Sequence, residues 1–200
     1  MRPSATFELM LIGIVSDLHG NAPALEKAME LMGKVDERVC LGDSIREYRF
    51  SNEVVGLLRD HGFITIQGNH EEMFFSRHGE RSRAAPWVDR DLMHWLQAQP
   101  SQRLLKREGK EILVVHATAW PSGGRYVCAG DREFARFGDA AADIVLYGHT
   151  HEPVVTRAGS TLVVNPGSTG EPRLRNDRME MSCAVLDVGA MSARIIGFAL

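Results

Sequence analysis

The feature that most constrains this chain is a series of short apolar segments that each end in a side chain able to ligate a cation. Leu9–Val15 leads into Ser16-Asp17-Leu18-His19-Gly20-Asn21, Arg38–Leu41 into Gly42-Asp43, and Phe63–Ile66 into Gly68-Asn69-His70-Glu71. Ile112–Val115 ends in His116, and Ile144–Tyr147 ends in Gly148-His149-Thr150-His151. Segments this short and apolar, bounded by turn residues, read as buried strands. Open α/β sheets bind ligands at the carboxyl ends of their strands. The flanking glycines let the backbone turn sharply and come close to a ligand.

Between these segments the apolar spacing becomes helical. Asn21–Met32 sets Ala24, Leu25, Ala28, Met29 and Met32 on one face, with Pro23 in its first turn. Asn52–Asp60 carries Val54, Val55, Leu57 and Leu58 behind Ser51 as N-cap and closes at His61-Gly62. Glu71–Arg77, Asp89–Gln97 (stopped by Pro100) and a short Arg132–Phe137 complete the predicted helices. Beyond them, Val154–Thr156, Thr161–Val164, Ala184–Val188 and Ala193–Phe198 read as strands joined by glycine-containing turns, hence antiparallel. An α/β first part followed by an antiparallel second part predicts two packed sheets with helices outside, an α/β sandwich in one domain over residues 1–200. Residues 1–9 read as an N-terminal extension, with Met10 as an alternative start. Residues 78–110, the longest excursion between strands, read as a partial cap over a site.

The 200 residues suffice for a sizeable core without disulfides or structural metal. A formal net charge of −3 gives no footprint of bulk nucleic-acid binding. Of the three cysteines, Cys40 and Cys183 lie inside apolar runs and no CxxC pair exists, which predicts packed thiols in a reducing, cytoplasmic setting. Leu9–Val15 is too short to span a bilayer and lacks a cleavage pattern, so no membrane association is expected.

The strand ends together supply Asp17, His19, Asp43, Asn69, His70, His116, His149 and His151, including five of the eight histidines. Any one of these alone reads equally well as a turn or a solvated loop residue. Grouped in a partly buried cleft they are costly without a charge partner, which a pair of divalent cations supplies. Asp, Asn and His ligands without cysteine suit manganese, iron, zinc, cobalt or nickel, and argue against an all-oxygen calcium site. His149 and His151 stand two residues apart, a spacing that points both side chains the same way in extended backbone.

The runs SDLHGN, LGDS, QGNHEE, VVHA and YGHTHEP, in this order, resemble the motifs of the calcineurin-like metallophosphoesterase superfamily, and the resemblance covers about residues 10 to 190. The turn Asn165–Arg173, NPGSTGEPR, is similar to one in its small bacterial and archaeal branch of YfcE-type and diadenosine-tetraphosphatase-like enzymes. The resemblance implies a four-layer α-β-β-α sandwich with mixed sheets and two divalent metal ions, manganese first. It implies Asp17, His19, Asp43 and His151 on the first metal and Asp43, Asn69, His116 and His149 on the second, with Asp43 bridging. His70 is implied as the catalytic histidine that faces the scissile phosphate, with metal-activated hydroxide as the attacking group. The activity implied is hydrolysis of a small phosphate ester or nucleotide-like substrate, a phosphodiester first. Dinucleoside-polyphosphate hydrolysis, protein-phosphatase action and a metal-binding scaffold are the alternatives.

One position departs from the protein-phosphatase branch, where the motif continues as GDxVDRG and its second Asp pairs with the catalytic His. Arg46 stands there in this chain, which leaves the partner of His70 open and makes Arg46 a candidate phosphate contact alongside Asn69. His61 reads as a helix C-terminal residue, and His78 and His94 as solvated. Trp87 and Trp95 read as packing residues, and with Trp120 they become candidate nucleobase platforms if residues 78–110 cover the site.

Overall fold

A computed structural model of the chain describes residues 9–121, 124–175 and 177–200. The first sheet has the spatial order β11 (Ser192–Phe198), β10 (Arg178–Asp187), β1 (Leu11–Val15), β2 (Glu37–Cys40) and β3 (Ile64–Thr65), with β9 (Arg173–Arg175) paired to β10. The second has the order β4 (Gln102–Arg107), β5 (Lys110–Val115), β6 (Ile144–Leu146), β8 (Thr161–Asn165) and β7 (Val154–Ala158). β1, β2 and β3 run parallel in the first sheet, as do β5, β6 and β8 in the second. The helices are α1 (Ala22–Met32), α2 (Asn52–Asp60), α3 (Asn69–Phe75), α4 (Glu80–Arg83) and α5 (Arg90–Gln97).

The strands are near-continuously apolar because both of their faces are covered. Ile12, Ile14, Val39 and Leu41 of the first sheet meet Ile112, Val114, Ile144, Leu146, Leu162 and Val164 of the second in a shared core. Val15, Cys40, Cys183 and Val185 point the other way, onto Ala24, Leu25 and Ala28 of α1 and Val54 and Leu58 of α2. On the far side, Val115, Val145, Tyr147 and Val163 pack against Phe134 and Phe137. The period-2 alternation of each strand thus builds the four layers, α-β-β-α. The last layer is a 3-10 helix, Arg132–Asp139, over the short helix expected at Arg132–Phe137. Caps set the helix starts: Asn21 Oδ1 accepts from Ala24 N at 3.2 Å, and Ser51 Oγ accepts from Val54 N at 3.3 Å.

The strands beyond residue 150 do not form a separate antiparallel unit. β7 and β8 complete the second sheet, with β8 parallel to β6, whereas β10 and β11 return to the first and β10 pairs antiparallel with β1. Residues 78–110 also differ from a single excursion. α5 packs with α2 and α3 around Phe50, Phe74, Leu92 and Leu96, and β4 is an edge strand antiparallel to β5. This segment meets the cleft described below at Trp87 on one side and at Ser101 and Gln102 on the other. The expected extension falls outside the described residues up to position 8, and Leu9 is exposed. Among the described residues no helix is long and apolar enough to cross a membrane.

Leu146 has no exposed surface and lies between the two sheets. Leu146→Ala is expected to cost about 2–5 kcal/mol, read as a lower urea midpoint at unchanged slope.

Candidate metal centre

Parallel strands deliver their carboxyl ends to one edge, so the loops after β1, β2 and β3 of one sheet face those after β5 and β6 of the other. All eight cluster residues meet there. Asp17, His19 and His151 form one trio and Asp43, His116 and His149 another, with the ligand atoms of each within 4.8 Å of one another. His19, Asp43 and His70 form a third trio that joins them. His19 Nε2 lies 3.1 Å from His151 Nε2, which lies 3.3 Å from Asp17 Oδ1. In the second group, His116 Nε2 is 3.3 Å from Asp43 Oδ2 and 3.0 Å from Asn69 Oδ1.

The backbone that holds these side chains is unusual. Asp17, His19, Asp43, His149 and His151 all have positive φ, between 46° and 66°. Asp and His enter this left-handed region more readily than most residues, yet five in one cluster is a marked concentration. It also corrects the extended geometry expected for His149 and His151. β6 ends at Leu146, the loop turns left-handed, and the two rings go to different trios.

Three braces maintain this geometry, two of which sequence reasoning missed. Glu71, fully buried on α3, accepts from Asp43 N and Gly68 N through Oε2, both at 2.8 Å. Its Oε1 accepts from Ser44 N at 2.8 Å, Ser44 Oγ at 2.7 Å and Ile45 N at 3.2 Å. One carboxylate therefore ties the loop after β2 to the start of α3. Glu71 stands three residues after Gly68, the spacing of the reciprocal half of a capping box, and that was the available signal. Asn165 is the second brace: its Nδ2 donates to Gly148 O at 2.9 Å and Thr150 Oγ1 at 3.0 Å. The turn that follows it grips the other loop, since Ser168 Oγ donates to Asp17 O at 2.9 Å. The third is a bond between sheets, His116 Nδ1 to Leu41 O at 2.7 Å. It fixes that proton on Nδ1 and frees Nε2 for the centre when the ring is neutral. Close approach also demands glycine: a Cβ on Gly68 would collide with Asp43 Oδ1, and one on Gly148 with Ser16 Oγ.

The electrostatics ask for a cation. Asp17 and Asp43 are 0% and 2% exposed. Burial pushes both carboxyls up, but His151 and His116 outweigh it at Asp17, and His116 and His70 hold Asp43 well below the usual carboxylate range. Burial works against a charged His116, yet Asp43 and Asp17 push it up to about 9. Burial depresses His19 and His149, leaving neutral rings with lone pairs to offer. Burial and the Asp43 charge raise Glu71, against its five hydrogen-bond donors. Asp17 Oδ1 and the Nδ1 atoms of His19 and His70 are buried without a hydrogen-bond partner among the described residues. Two ligands about 2.0–2.2 Å from one ion lie roughly 3.0–3.5 Å apart, the spacing of the donor atoms in both groups. The residues of the Asp17 group and of the Asp43–His116 group therefore each fit a divalent metal.

The row of polar residues separates two cavities of about 670 Å³ each. One runs from His19 along Arg46, Arg49, Ser51 and Trp87, and the other from Asn69, His116 and His149 along Gln102 and Trp120. Arg46 stays at this site but is paired, its Nη2 donating to Glu171 Oε1 at 2.8 Å. His70 Nε2 faces Asp43 Oδ2 at 3.8 Å. His61 is the C-cap of α2, and His78 and His94 are exposed. Trp95 packs in the core as expected, whereas Trp87 is 51% exposed on the cavity wall because its residue lies in the loop before α5. Trp120 packs edge-on to Phe137 under Arg136.

Removing the Glu71 carboxylate leaves buried N–H groups unsatisfied, each worth about 1–3 kcal/mol. Glu71→Ala is expected to cost at least about 3 kcal/mol in denaturant melts and to lower metal content by elemental analysis. Stability within about 1 kcal/mol of wild type would show that this brace is dispensable.

The Calcineurin-like phosphoesterase superfamily domain matches residues 10–191 of the chain. Phosphodiesterase YfcE of Escherichia coli strain K12 is 26% identical over 177 residues, 82% of each chain. The uncharacterized protein MJ0912 of Methanocaldococcus jannaschii is 24% identical over 196 residues, covering 82% of this chain and 77% of its own. A metallophosphoesterase from Sphaerobacter thermophilus shares the fold with a TM-score of 0.75 at 22% identity, over 96% of this chain and 89% of that one. With this match spanning the sandwich and every loop of its polar row, the chain belongs to the calcineurin-like phosphoesterase superfamily.

Proposed function

We propose that the chain hydrolyses a small phosphodiester at a centre of two divalent ions, manganese first, with iron, zinc, nickel or cobalt as alternatives. Asp17, His19, Asp43 and His151 hold the first and Asp43, Asn69, His116 and His149 the second. The observation that carries this reading is the pair of trios linked by His19 and Asp43 of the third, with the buried Asp17 Oδ1 facing His151 Nε2 at 3.3 Å and the Nδ1 atoms of His19 and His70 without a hydrogen-bond partner among the described residues. Ions held there neutralise phosphoryl charge and lower the pKa of water toward neutrality. Hydrolysis joins the oxygen of water to phosphorus, breaks the bond to the leaving oxygen and delivers a proton to that oxygen.

His70 stands beside this centre, its ring 4.6 Å from that of His19. His70 N donates to Asp43 Oδ1 at 2.9 Å, which fixes the residue, while the ring keeps Nδ1 free of hydrogen bonds among the described residues. It is placed to donate to the leaving oxygen or to the phosphoryl group. The flanking cavities favour a diester, because an ester with two arms fills both sides of the row whereas a monoester fills one. Asn69 and Arg46 border the row as further substrate contacts. The free thiols of Cys40, Cys128 and Cys183 suit a reducing cytoplasm.

Two variants separate the roles. His70→Ala is expected to keep its metal and lose about 10²–10⁴-fold in kcat on bis(p-nitrophenyl) phosphate with Mn²⁺. Asp43→Asn is expected to lose metal and turnover together. A wild-type protein that binds no transition metal and shows no turnover with added Mn²⁺ would overturn the enzyme reading in favour of a scaffold. Full activity in His70→Ala would overturn only the role of that side chain.

A further inference from the structure

The cavity on the His19 side carries a charge arrangement that the metal centre does not use. Arg46 and Arg49 exchange both backbone hydrogen bonds at 3.1 Å across the two-residue turn Glu47-Tyr48. Residues paired this way present their side chains on the same face of the ribbon about 5 Å apart, where like charges repel. Arg46 is compensated by Glu171, whose other oxygen lies 3.8 Å from His151 Nδ1. Arg49 has no side-chain hydrogen bond or ion pair among the described residues. Glu53 on the same wall is engaged by Ser51 Oγ at 3.2 Å and by the N-terminal dipole of α2. An uncompensated guanidinium thus faces a cavity one carboxylate away from the metal centre.

The same cavity has a fixed aromatic wall. Trp87 is half exposed, and its backbone is clamped by Asn52, whose Nδ2 donates to Trp87 O at 2.7 Å and whose Oδ1 accepts from Asp89 N at 3.0 Å. An indole held open to solvent beside two arginines offers a face to a ring and donors to an anion. We propose that this cavity is the subsite for a nucleotide arm of the substrate: a phosphate beyond the scissile one sits between Arg46 and Arg49, and the nucleobase stacks on Trp87. The proposal rests on the phosphoesterase reading of the adjacent centre and narrows its substrate to nucleoside polyphosphate esters.

Calorimetric titration of the Mn²⁺-loaded chain with adenosine mono- and diphosphate tests it. The diphosphate is expected to bind wild type at least about tenfold more tightly than the monophosphate, as a charge-assisted contact of about 1.5–3 kcal/mol requires, and Arg49→Ala is expected to remove that margin. Trp87→Ala is expected to weaken the diphosphate by about fivefold or more and to leave inorganic pyrophosphate binding as in wild type. Equal affinity of wild type for the two nucleotides, or wild-type affinity in Arg49→Ala, overturns the phosphate half. Wild-type affinity in Trp87→Ala overturns the stacking half. Turnover of bis(p-nitrophenyl) phosphate by wild type is measured in parallel: activity without a diphosphate margin sinks the subsite alone. Absence of turnover sinks the phosphoesterase reading, and the titration still decides the subsite.

Discussion

Five residues of the centre sit in left-handed backbone, a region that costs an L-residue about 1–2 kcal/mol each. Such strain persists only where the surroundings over-determine it, and most of this molecule serves that purpose. The shared core of the two sheets fixes where the strands end. Glu71, Asn165 and the bond from His116 to Leu41 then fix how each loop leaves its strand. Without those anchors the loops would relax toward ordinary backbone, and the rings and carboxylates would point elsewhere.

The same anchoring explains why two carboxylates can be almost fully buried. One oxygen of each carboxylate is committed to backbone: Asp17 Oδ2 accepts from His149 N at 3.1 Å, and Asp43 Oδ1 accepts from His70 N at 2.9 Å. The oxygens facing the centre, Asp17 Oδ1 and Asp43 Oδ2, lie near imidazole nitrogens. Each carboxylate is therefore divided between a structural oxygen and a chemical one. On either side of the row the cavities differ in lining, arginines and an indole on one and Gln102, Thr118 and Trp120 on the other, so the two sides offer different chemistry.

Much of this was legible in the sequence, and the unread parts have physical causes. The eight site residues stand at strand ends, and strand ends are marked locally by apolar runs stopping at Gly, Asp or His. β4 escaped because it is an edge strand, QRLLKR, with Leu104 exposed and charges at both ends. The return of β10 to the first sheet escaped because pairing Leu11 with Asp187 is a tertiary choice between two apolar surfaces that no local pattern encodes. Glu71 stands within QGNHEE, but nothing in its local sequence announces the four buried backbone donors it accepts from. The sequence reads Trp87 as a packing residue, or as a nucleobase platform if residues 78–110 cover the site, and does not decide between them because the clamp by Asn52 that keeps it at the rim is a contact across 35 positions.

The strand that carries Asp17 and His19 has a neighbour on each side, β2 and β10. The first follows within a few dozen residues, whereas the second includes Asp187, opposite Leu11. At about 5–20 residues per second, a ribosome needs on the order of ten seconds or more to pass from one to the other. For most of that interval the early Asp and His side chains exist without the loop that contains His149 and His151, which is made before β10. The nascent chain thus holds its candidate ligands as separate, weak fragments. The eight side chains converge only when the second sheet, with the loop after β6, packs on the first.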